Sequence, residues 1–292
     1  MADWKRALKR KLPNKLRRFT PTSFDVIGTI AIFNKFPLQL TRYAATIGKA
    51  LLAAHPHLTT VCIKTGNVAG TYRVPKLKVV AGAASKETVH RENGCSFKLN
   101  VERCYFSPRL ATERLRIAHL ITKPERALVL FSGVAPYPCV IAKHASVKEV
   151  MGVELNRIAH QCALENLKLN RLTNVQLFNQ SAASAIESFR RRKQKFDRII
   201  LPLPKGAIGY LEQIMPLLQQ NGTVHLYGFA AERECKSIQT HYRSMFKRVT
   251  MVRCGAYAPG IIRYCLDLSK RQSAKRISAA ITKMPAKRNK RK

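Results

Sequence analysis

A carboxylate at the end of an apolar stretch is the first candidate for chemistry in this chain. Residues 149–155 predict a buried strand that ends near Glu154, and residues 127–131 predict an earlier strand followed by a turn at Gly133. In an α/β sheet such a turn lets the backbone approach a ligand, while a carboxylate after the next strand accepts ribose hydroxyls. These residues therefore predict a site for a nucleoside-containing cofactor.

The turn itself restricts the kind of cofactor. Its sequence, FSGVAP over residues 131–136, has one glycine and lacks the G-x-G-x-x-G pattern. A pyrophosphate needs several close backbone N–H groups at a helix N-terminus, and Pro136 removes one of them. The turn disfavours NAD and favours a cofactor without phosphates, S-adenosylmethionine. The alternative is a glycine turn without a ligand, as in any α/β protein.

A dense set of polar residues, YFSPRLATER (105–114), precedes the first strand of this sheet. Glu113 is a candidate general base, and Arg109 and Arg114 are candidate phosphate ligands on RNA. Arg73, in GTYRVP, is a candidate for the same site. The alternatives are a Glu113–Arg109 pair on a helix and a surface ion pair for Arg73.

Two further segments follow later strands. Pro202 and Pro204 form a rigid Pro-Leu-Pro turn at the end of the predicted fourth strand, where α/β sheets bind ligands. Arg190, Arg191 and Arg192 form a basic run that suits phosphates. The respective alternatives are a simple strand stop and a solvated charge run.

The elements that must position these residues follow a regular order. From residue 123 onwards, strands alternate with helices, which predicts a doubly wound, Rossmann-like α/β sheet preceded by a smaller α+β domain. We predict a basic arm (1–21), an α+β domain for RNA and the active site (22–122), a cofactor domain (123–268) and a basic tail (269–292). The predicted strands are 127–131, 149–155, 174–179, 197–203 and 222–229, the helices lie near 138–145, 156–170, 181–192 and 206–219, and a hairpin spans 248–257 and 262–268.

The composition of the chain indicates what kind of partner it binds and in which kind of compartment it occurs. The net charge of +37 favours a polyanion, and nucleic acid is the leading partner. None of the eight cysteines has C-x-x-C spacing, which indicates a reducing compartment and no structural metal. No apolar run is long enough to span a membrane. We therefore expect a cytoplasmic protein without a membrane partner, and a monomer.

Several motifs together resemble one family, the archaeal and eukaryotic tRNA guanine N1-methyltransferases, which modify guanine 37 beside the anticodon. The resemblance covers about residues 22–268, and its most specific parts are HRENGC and YFSPRLATER. It implies a class I methyltransferase fold, S-adenosylmethionine as methyl donor and the anticodon region of tRNA as partner. The matching segments are FDVIG (24–28), GTYRVP (70–75), HRENGC (90–95), YFSPRLATER (105–114), FSGVAPY (131–137), GVELN (152–156), DRIILPLPKGA (197–207) and GAYAP (255–259).

The resemblance also implies roles for individual residues. Glu113 matches the base that takes the N1 proton of guanine, and Arg73 matches the arginine that stabilises charge on O6. Asn179 and Ser181 are the alternative candidates for a contact to the adenine amine, where relatives commonly have an Asp. The implied cofactor pocket comprises Tyr105, Phe131, Gly133, Val134, Glu154, Pro202 and Pro204.

Departures from the family pattern keep other functions open. Pro202 stands where the family has Asn, Ala135 replaces a second glycine, and no acid follows the third strand. One alternative is the related transfer of an aminocarboxypropyl group, or methylation of a wyosine intermediate, at the same tRNA position. Another is a non-catalytic RNA-binding relative with a decayed cofactor site.

Overall fold

The computed structural model describes residues 4–8, 10–66, 70, 72 and 74–270. These residues form two compact units that interleave along the chain. The first unit comprises the described residues within Met1–Leu115, Gly133–Lys143 and Asn156–Thr173, and the second those within Arg116–Ser132, His144–Leu155 and Asn174–Lys292. Among the described residues, no helix combines the length and apolar character that crossing a bilayer requires.

The first unit contains a four-stranded sheet and a separate two-stranded ribbon. The sheet has the order β1-β2-β3-β4, with β2 and β3 parallel and the other pairs antiparallel, and β5 and β6 form the antiparallel ribbon. The bounds are α1 Trp4–Leu8, α2 Asn14–Arg17, β1 Asp25–Ile27, β2 Ile30–Phe33, α3 Ala44–Ala54, β3 Thr60–Lys64, β4 Leu77–Gly82, β5 Glu87–Glu92, β6 Cys95–Asn100, α4 Ala111–His119, α5 Pro136–His144 and α6 Arg157–Leu169. Residues 116–119 of α4 and His144 of α5 belong to the second unit.

The core of this unit includes the segment predicted as a basic arm. Trp4, Leu8 and Leu12 pack with Phe33 and Leu51, and all five side chains are buried. Lys5, Arg6, Arg10 and Lys11, which lie between them, are exposed, so the basic segment contributes an apolar stripe to the core.

A tight turn at Gly28 joins β1 and β2. Gly28 has φ +56°, and a Cβ there would lie 2.6 Å from the carbonyl oxygen of Val89. Only glycine combines this backbone conformation with such a close approach.

The second unit contains a seven-stranded sheet of order β12-β13-β11-β10-β7-β8-β9. Strands β7 to β11 run parallel, and β13 is antiparallel to both of its neighbours. The chain order reverses between β7 and β10, which is the switch point of a doubly wound sheet. The bounds are β7 Glu125–Leu130, β8 Val147–Glu154, β9 Val175–Asn179, α7 Ala182–Arg191, β10 Phe196–Leu201, α8 Leu211–Ile214, β11 Leu218–Ala231, α9 Cys235–Arg243, β12 Arg248–Ala258 and β13 Ile261–Ser269.

The predicted strands and the final hairpin are confirmed, but one predicted helix is wrong. Residues 206–219 form only the short α8 between two 3-10 turns, because Gly206 adopts φ +104° and Pro216 cannot continue a helix. Helices α4 and α9 were not predicted.

Candidate active site

Glu113, the predicted base, lies in the first turn of α4 and is only 6% exposed. The chain enters this helix through a 3-10 turn at Pro108–Leu110. Asn93 of the HRENGC motif fixes the entry, since its amide donates a 2.8 Å hydrogen bond to the carbonyl of Ala111. The structure therefore holds a carboxylate in a buried, constrained position within the first unit.

A buried cluster of Gly28, His90, Glu92 and Arg114, called the Glu92 cluster below, adjoins this base. Arg114 donates to both carboxylate oxygens of Glu92, at 2.5 and 2.6 Å, and to the carbonyl of Ser107 at 2.8 Å. His90 lies 3.5 Å from Glu92 and accepts a hydrogen bond from the Gly28 amide. The cluster ties the β1–β2 turn and β5 to the residue that follows Glu113.

The predicted contact of Arg114 with RNA is wrong. Its side chain is 2% exposed and lies over the rings of Phe106 and Tyr137, 4.9 and 5.8 Å from their centroids. A buried guanidinium needs a counter-charge, and Glu92 supplies it. The available signal was the HRENGC motif, which places an acid, Glu92, at the end of a predicted strand without an evident partner.

The other residues predicted for this site differ in their exposure and in their contacts. Arg109 is 59% exposed, and its guanidinium pairs with Asp25 at 2.8 Å instead of lying on the helix of Glu113. Arg73 lies outside the described residues. Tyr105 is 44% exposed, and its carbonyl lies 3.6 Å from where a Cβ on Gly133 would stand, so these two predicted cofactor residues are close.

The glycine turn has an unusual backbone. Phe131, Gly133 and Ala135 have φ values of +58°, +59° and +66°, all in the left-handed region. Ala135, where the family has a second glycine, thus adopts a conformation that favours glycine. Among the described residues, the Ser132 hydroxyl is buried without a hydrogen-bond partner, while its amide donates to the carbonyl of Val153 at 2.9 Å.

Asn166 of α6 and Asn170, which caps the C-terminus of that helix, hold the turn and the β6 edge, and sequence reasoning missed both. Asn166 is fully buried, exchanges hydrogen bonds with the backbone of Lys98, and donates to the carbonyl of Val134 at 3.0 Å. Asn170 exchanges hydrogen bonds of 2.8 and 2.7 Å with the backbone of Ser96. Their i, i+4 spacing was the available signal, since it places both amides on one helix face.

Glu154 ends β8 opposite Asn179, the last residue of β9. The amide of Asn179 donates to the carbonyls of Glu154 and Leu155, at 2.8 and 3.2 Å. Ser181 caps α7 by accepting from the Ser184 amide at 3.1 Å. Both candidates for an adenine contact therefore also support the backbone at these strand ends.

The remaining predicted residues lie in the second unit. Pro202 and Pro204 follow β10 and are half-buried, and Phe131 packs against Tyr210 with 5.3 Å between the ring centroids. Arg190, Arg191 and Arg192 are exposed at the end of α7. Arg190 and Arg191 line an open pocket of about 510 Å³, whose other lining residues are Ala183, Ile186, Glu187 and Gln213.

A second set of charged and polar side chains, called the Asp267 network below, comprises the buried Glu125, Arg198 and His225 and the partly buried Arg116 and Asp267. Arg198 pairs with Glu125 at 2.8 Å and lies 2.6 Å from Nε2 of His225, whose Nδ1 lies 2.6 Å from Asp267. Arg116 donates to Asp267 at 2.7 Å. Because both ring nitrogens of His225 are engaged, the grouping of His225, Cys265 and Asp267 is an ion-pair network and has no imidazole nitrogen left for a metal.

Burial and hydrogen bonding set the charges of this network. Burial lowers the pKa of His225 despite the bond to Asp267, so its imidazole is neutral. Burial alone would raise the pKa of Asp267, but hydrogen bonds from His225 and Arg116 outweigh it and hold that pKa well below its ordinary value. Asp267 is therefore a permanent anion at neutral pH.

The residues present fit an adenosine-containing cofactor. Ser132 and Glu154 follow the neighbouring parallel strands β7 and β8 at their carboxyl ends, where doubly wound sheets bind ligands. The buried Ser132 hydroxyl, without a partner among the described residues, and the Glu154 carboxylate are the polar groups that a ribose and its attached chain require.

Comparisons with known proteins agree with this arrangement. The family described as "TRM5/TYW2 methyltransferase domain" matches residues 88–252, and the "TYW2 N-terminal domain" matches residues 4–85. The chain is 40% identical over 221 residues to a Pyrococcus abyssi tRNA (guanine(37)-N(1))-methyltransferase, Trm5b, which covers 76% of this chain and 64% of that protein. It thus spans less than two thirds of the length of that relative.

Two further matches extend the comparison. A Nanoarchaeum equitans protein, tRNA (guanine(37)-N(1))/4-demethylwyosine(37)-methyltransferase Taw22, is 33% identical over 73% of this chain and 85% of its own length. The crystal structure of Pyrococcus abyssi Trm5b matches with a TM-score of 0.77 and 34% identity, over 89% of this chain and 78% of that one.

These matches confirm the predicted family and the predicted fold, a Rossmann-like class I methyltransferase sheet preceded by a smaller domain. This chain belongs to the TRM5/TYW2 methyltransferase family.

Proposed function

We propose that this protein transfers the methyl group of S-adenosylmethionine to N1 of guanine 37 in tRNA. The observation that carries the proposal is Glu113, a buried carboxylate fixed by its neighbours inside the segment that matches the methyltransferase family. The names of the relatives support the substrate, since the Pyrococcus abyssi and Nanoarchaeum equitans proteins are both described as acting on guanine 37.

The chemistry requires a base beside the target nitrogen. Guanine N1 is a weak acid and carries a proton, which must leave as the N1–carbon bond forms and the sulfur–carbon bond breaks. The carboxylate of Glu113 accepts this proton, and Arg73, where the resemblance places a cation, stabilises the negative charge that develops on O6. Bound S-adenosylmethionine supplies an electrophilic methyl group on its sulfonium. The chain's remaining role is to hold the methyl donor and the carboxylate of Glu113 in line with guanine N1.

The proposal assigns the cofactor to Tyr105, Phe131, Gly133, Val134, Glu154, Ser181, Pro202 and Pro204. Glu154 accepts the ribose hydroxyls, and Ser132 contacts the part of the cofactor nearest the turn. As part of the same proposal, residues 22–122 form the domain for RNA and the active site, and residues 123–268 form the cofactor domain.

The partner is tRNA, approached at its anticodon region. The net charge of +37 favours binding to phosphates, as do the exposed side chains of Arg190, Arg191 and Arg192. Arg109 adds a further exposed cation, which is paired with Asp25. We take the enzyme to act as a monomer in the cytoplasm. The binding affinity should fall steeply with salt, because phosphate contacts release counterions.

The test is mass spectrometry of nucleosides from a tRNA transcript incubated with the protein and isotope-labelled S-adenosylmethionine. The expected product is labelled 1-methylguanosine, and a transcript with adenosine at position 37 should remain unlabelled. A different labelled product, or none from a protein that binds the cofactor in calorimetry, would reject the proposal.

A second candidate is methylation of a wyosine intermediate at the same position. The name of the Nanoarchaeum equitans relative favours it, since that protein is described as acting on both guanine 37 and 4-demethylwyosine 37. Incubation with tRNA that already carries 4-demethylwyosine distinguishes the substrates. The mass of the transferred group separates either reaction from aminocarboxypropyl transfer.

A further inference from the structure

A pair of aromatic rings, one half-buried and one exposed, lies at the carboxyl ends of β11 and β12, in the second unit. The rings of Phe229 and Tyr257 have centroids 4.0 Å apart and an interplanar angle of 30°, so they are nearly stacked. Tyr257 is 54% exposed, among the most exposed large apolar side chains of the described residues. Tyr257 belongs to the GAYAP motif, which the proposed function leaves without a role.

The sheet departs from regular geometry to place this ring. Strand β13 lies between β11 and β12, so the two aromatic residues are not on neighbouring strands. The pairing of β12 with β13 shifts between Ala256 and Ala258, which makes Tyr257 the extra residue of a bulge. A bulge redirects a side chain at a local cost in ladder hydrogen bonds, and it commonly occurs where a side chain serves a site.

Two cations flank the rings. The guanidinium of Arg263 lies 5.3 Å from the Phe229 ring, directly opposite it in the β11–β13 register. The ammonium of Lys205 lies 5.8 Å from the Tyr257 ring and follows the Pro-Leu-Pro turn. The acid that follows β11, Glu232, is itself paired with Arg253 at 2.7 Å. The group of Lys205, Phe229, Tyr257 and Arg263 is called the Tyr257 patch below.

Core packing does not account for this patch. A ring that leaves about half of its surface in water gains little hydrophobic stabilisation, and a bulge weakens the strand that carries it. Stacked aromatic rings beside lysine and arginine are instead the groups that bind single-stranded nucleic acid, through base stacking and phosphate contacts. The strongly positive charge of the chain favours the same partner.

We propose that the Tyr257 patch binds an unstacked base of the substrate RNA, with Arg263 and Lys205 contacting the adjoining phosphates. This inference rests on the proposed function. N1 of guanine lies on the base-pairing edge, and presenting N1 to the carboxylate of Glu113 unstacks the neighbouring nucleotides. A neighbour that loses its stacking partner gains one on Tyr257. The patch lies at the carboxyl edge of β10 and β11, where doubly wound sheets place their ligands.

The test compares Tyr257→Ala, Tyr257→Phe and Tyr257→Trp with the wild-type protein. Binding of an unmodified tRNA transcript with guanine at position 37 should weaken about tenfold in Tyr257→Ala, while Phe and Trp retain affinity because they keep a stacking face. The dissociation constant for S-adenosylmethionine and the melting temperature should not change in any of the three. 2-Aminopurine at the nucleotides flanking the target reports the stacking directly, and its quenching should be lost only in Tyr257→Ala.

Salt dependence separates the cations from the ring. Arg263→Ala and Lys205→Ala should each lower the slope of log affinity against log salt by about one, whereas Tyr257→Ala should leave that slope unchanged. Arg248→Ala is the matched control, since Arg248 is an exposed cation at the other end of the same hairpin. It should not change the 2-aminopurine signal.

The outcomes distinguish this inference from the proposed function. If wild type and Tyr257→Ala bind the transcript equally well and both form 1-methylguanosine, the patch does not bind RNA and the inference is overturned. If Tyr257→Ala loses affinity and quenching while the wild type forms no 1-methylguanosine, the patch stands and the proposed reaction fails.

Discussion

The two compact units both bury ion pairs, but these pairs have different neighbours. In the first unit, the Glu92 cluster holds Arg114, the residue directly after the predicted base Glu113. In the second unit, the Asp267 network lies near the starts of β7 and β10, away from the carboxyl ends that carry the predicted cofactor residues. Burying charge is costly in both places, so the difference suggests that the first cluster positions the proposed base and the second stabilises the sheet.

The largest expected effect is at the base itself. Glu113→Gln keeps the size of the side chain but removes the proton acceptor, so the single-turnover rate of methyl transfer should fall about 1,000-fold. Rapid-quench measurement with labelled cofactor checks this rate. The matched control is Glu165→Gln, at a half-exposed glutamate paired with Lys98 on the surface, which should leave the rate unchanged. A loss of less than tenfold in Glu113→Gln would remove Glu113 as the base.

Asp267→Asn should affect stability and not the chemical step. It leaves Arg116 without its carboxylate, which should lower the free energy of unfolding by about 3 kcal/mol in urea denaturation. The control Glu149→Gln breaks the partly exposed pair with Arg126 and should cost about 1 kcal/mol or less. The methyl-transfer rate of the folded Asp267→Asn protein should equal that of the wild type. A rate change as large as that of Glu92→Gln would remove the distinction between the two buried sites.

The contribution of Asp267 also has a defined pH dependence. Since its pKa is lowered in the folded state, the stabilisation is present above the unfolded pKa of about 3.9 and is lost as pH falls below it. The stability difference between wild type and Asp267→Asn should therefore be constant from pH 5 to 7 and shrink below about pH 4. A difference that stays constant down to pH 3 would contradict the lowered pKa.

Glu92→Gln should lower both the methyl-transfer rate and the stability of the protein, each by less than the substitutions above. The amide still accepts a hydrogen bond from Arg114 but supplies no counter-charge, so the protein loses stability and the segment of Glu113 shifts. We expect the methyl-transfer rate to fall about tenfold, with the KM for tRNA nearly unchanged. Glu92→Asp, which keeps the charge, should recover most of the rate. If Glu92→Gln lowers only the melting temperature, the cluster is structural, like the Asp267 network.

The smallest effect compares two thiols of the first unit. A hydrogen bond from Cys104 lowers the pKa of Cys162 to about 7, whereas burial raises the pKa of Cys139 far above its ordinary value. Iodoacetamide should therefore label Cys162 with a rate that rises between pH 6 and 8 and should spare Cys139 in the folded protein. Cys104→Ser tests the cause, and peptide mass spectrometry measures the labelling. Equal labelling of both thiols would show that hydrogen bonding does not offset burial here.

Much of the fold was predictable because the signals were local. The apolar run at 127–131, the single Gly133 and the terminal Glu154 each specify one element and its end, and the strand order follows from their alternation. The helix predicted over 206–219 failed because local breakers, Gly206 and Pro216, outweigh a helical apolar pattern.

The site was less predictable because its partners are distant in sequence. From sequence alone Arg114 is expected to be exposed, as most charged residues are. Its burial depends on the pairing with Glu92, 22 residues earlier. Asn166 reaches Val134 across 32 residues, and no pattern in the sequence indicates that distance. The family resemblance identified Glu113, but the contacts that hold its helix required the folded structure.

The two amides of Asn166 and Asn170 have a consequence for self-association. A two-stranded ribbon normally presents unpaired N–H and C=O groups that can recruit a strand from another molecule. On the β6 side those groups at Ser96 and Lys98 are already bonded to side chains of α6. When many copies crowd onto one polyanion, this edge therefore offers no template for intermolecular β-aggregation.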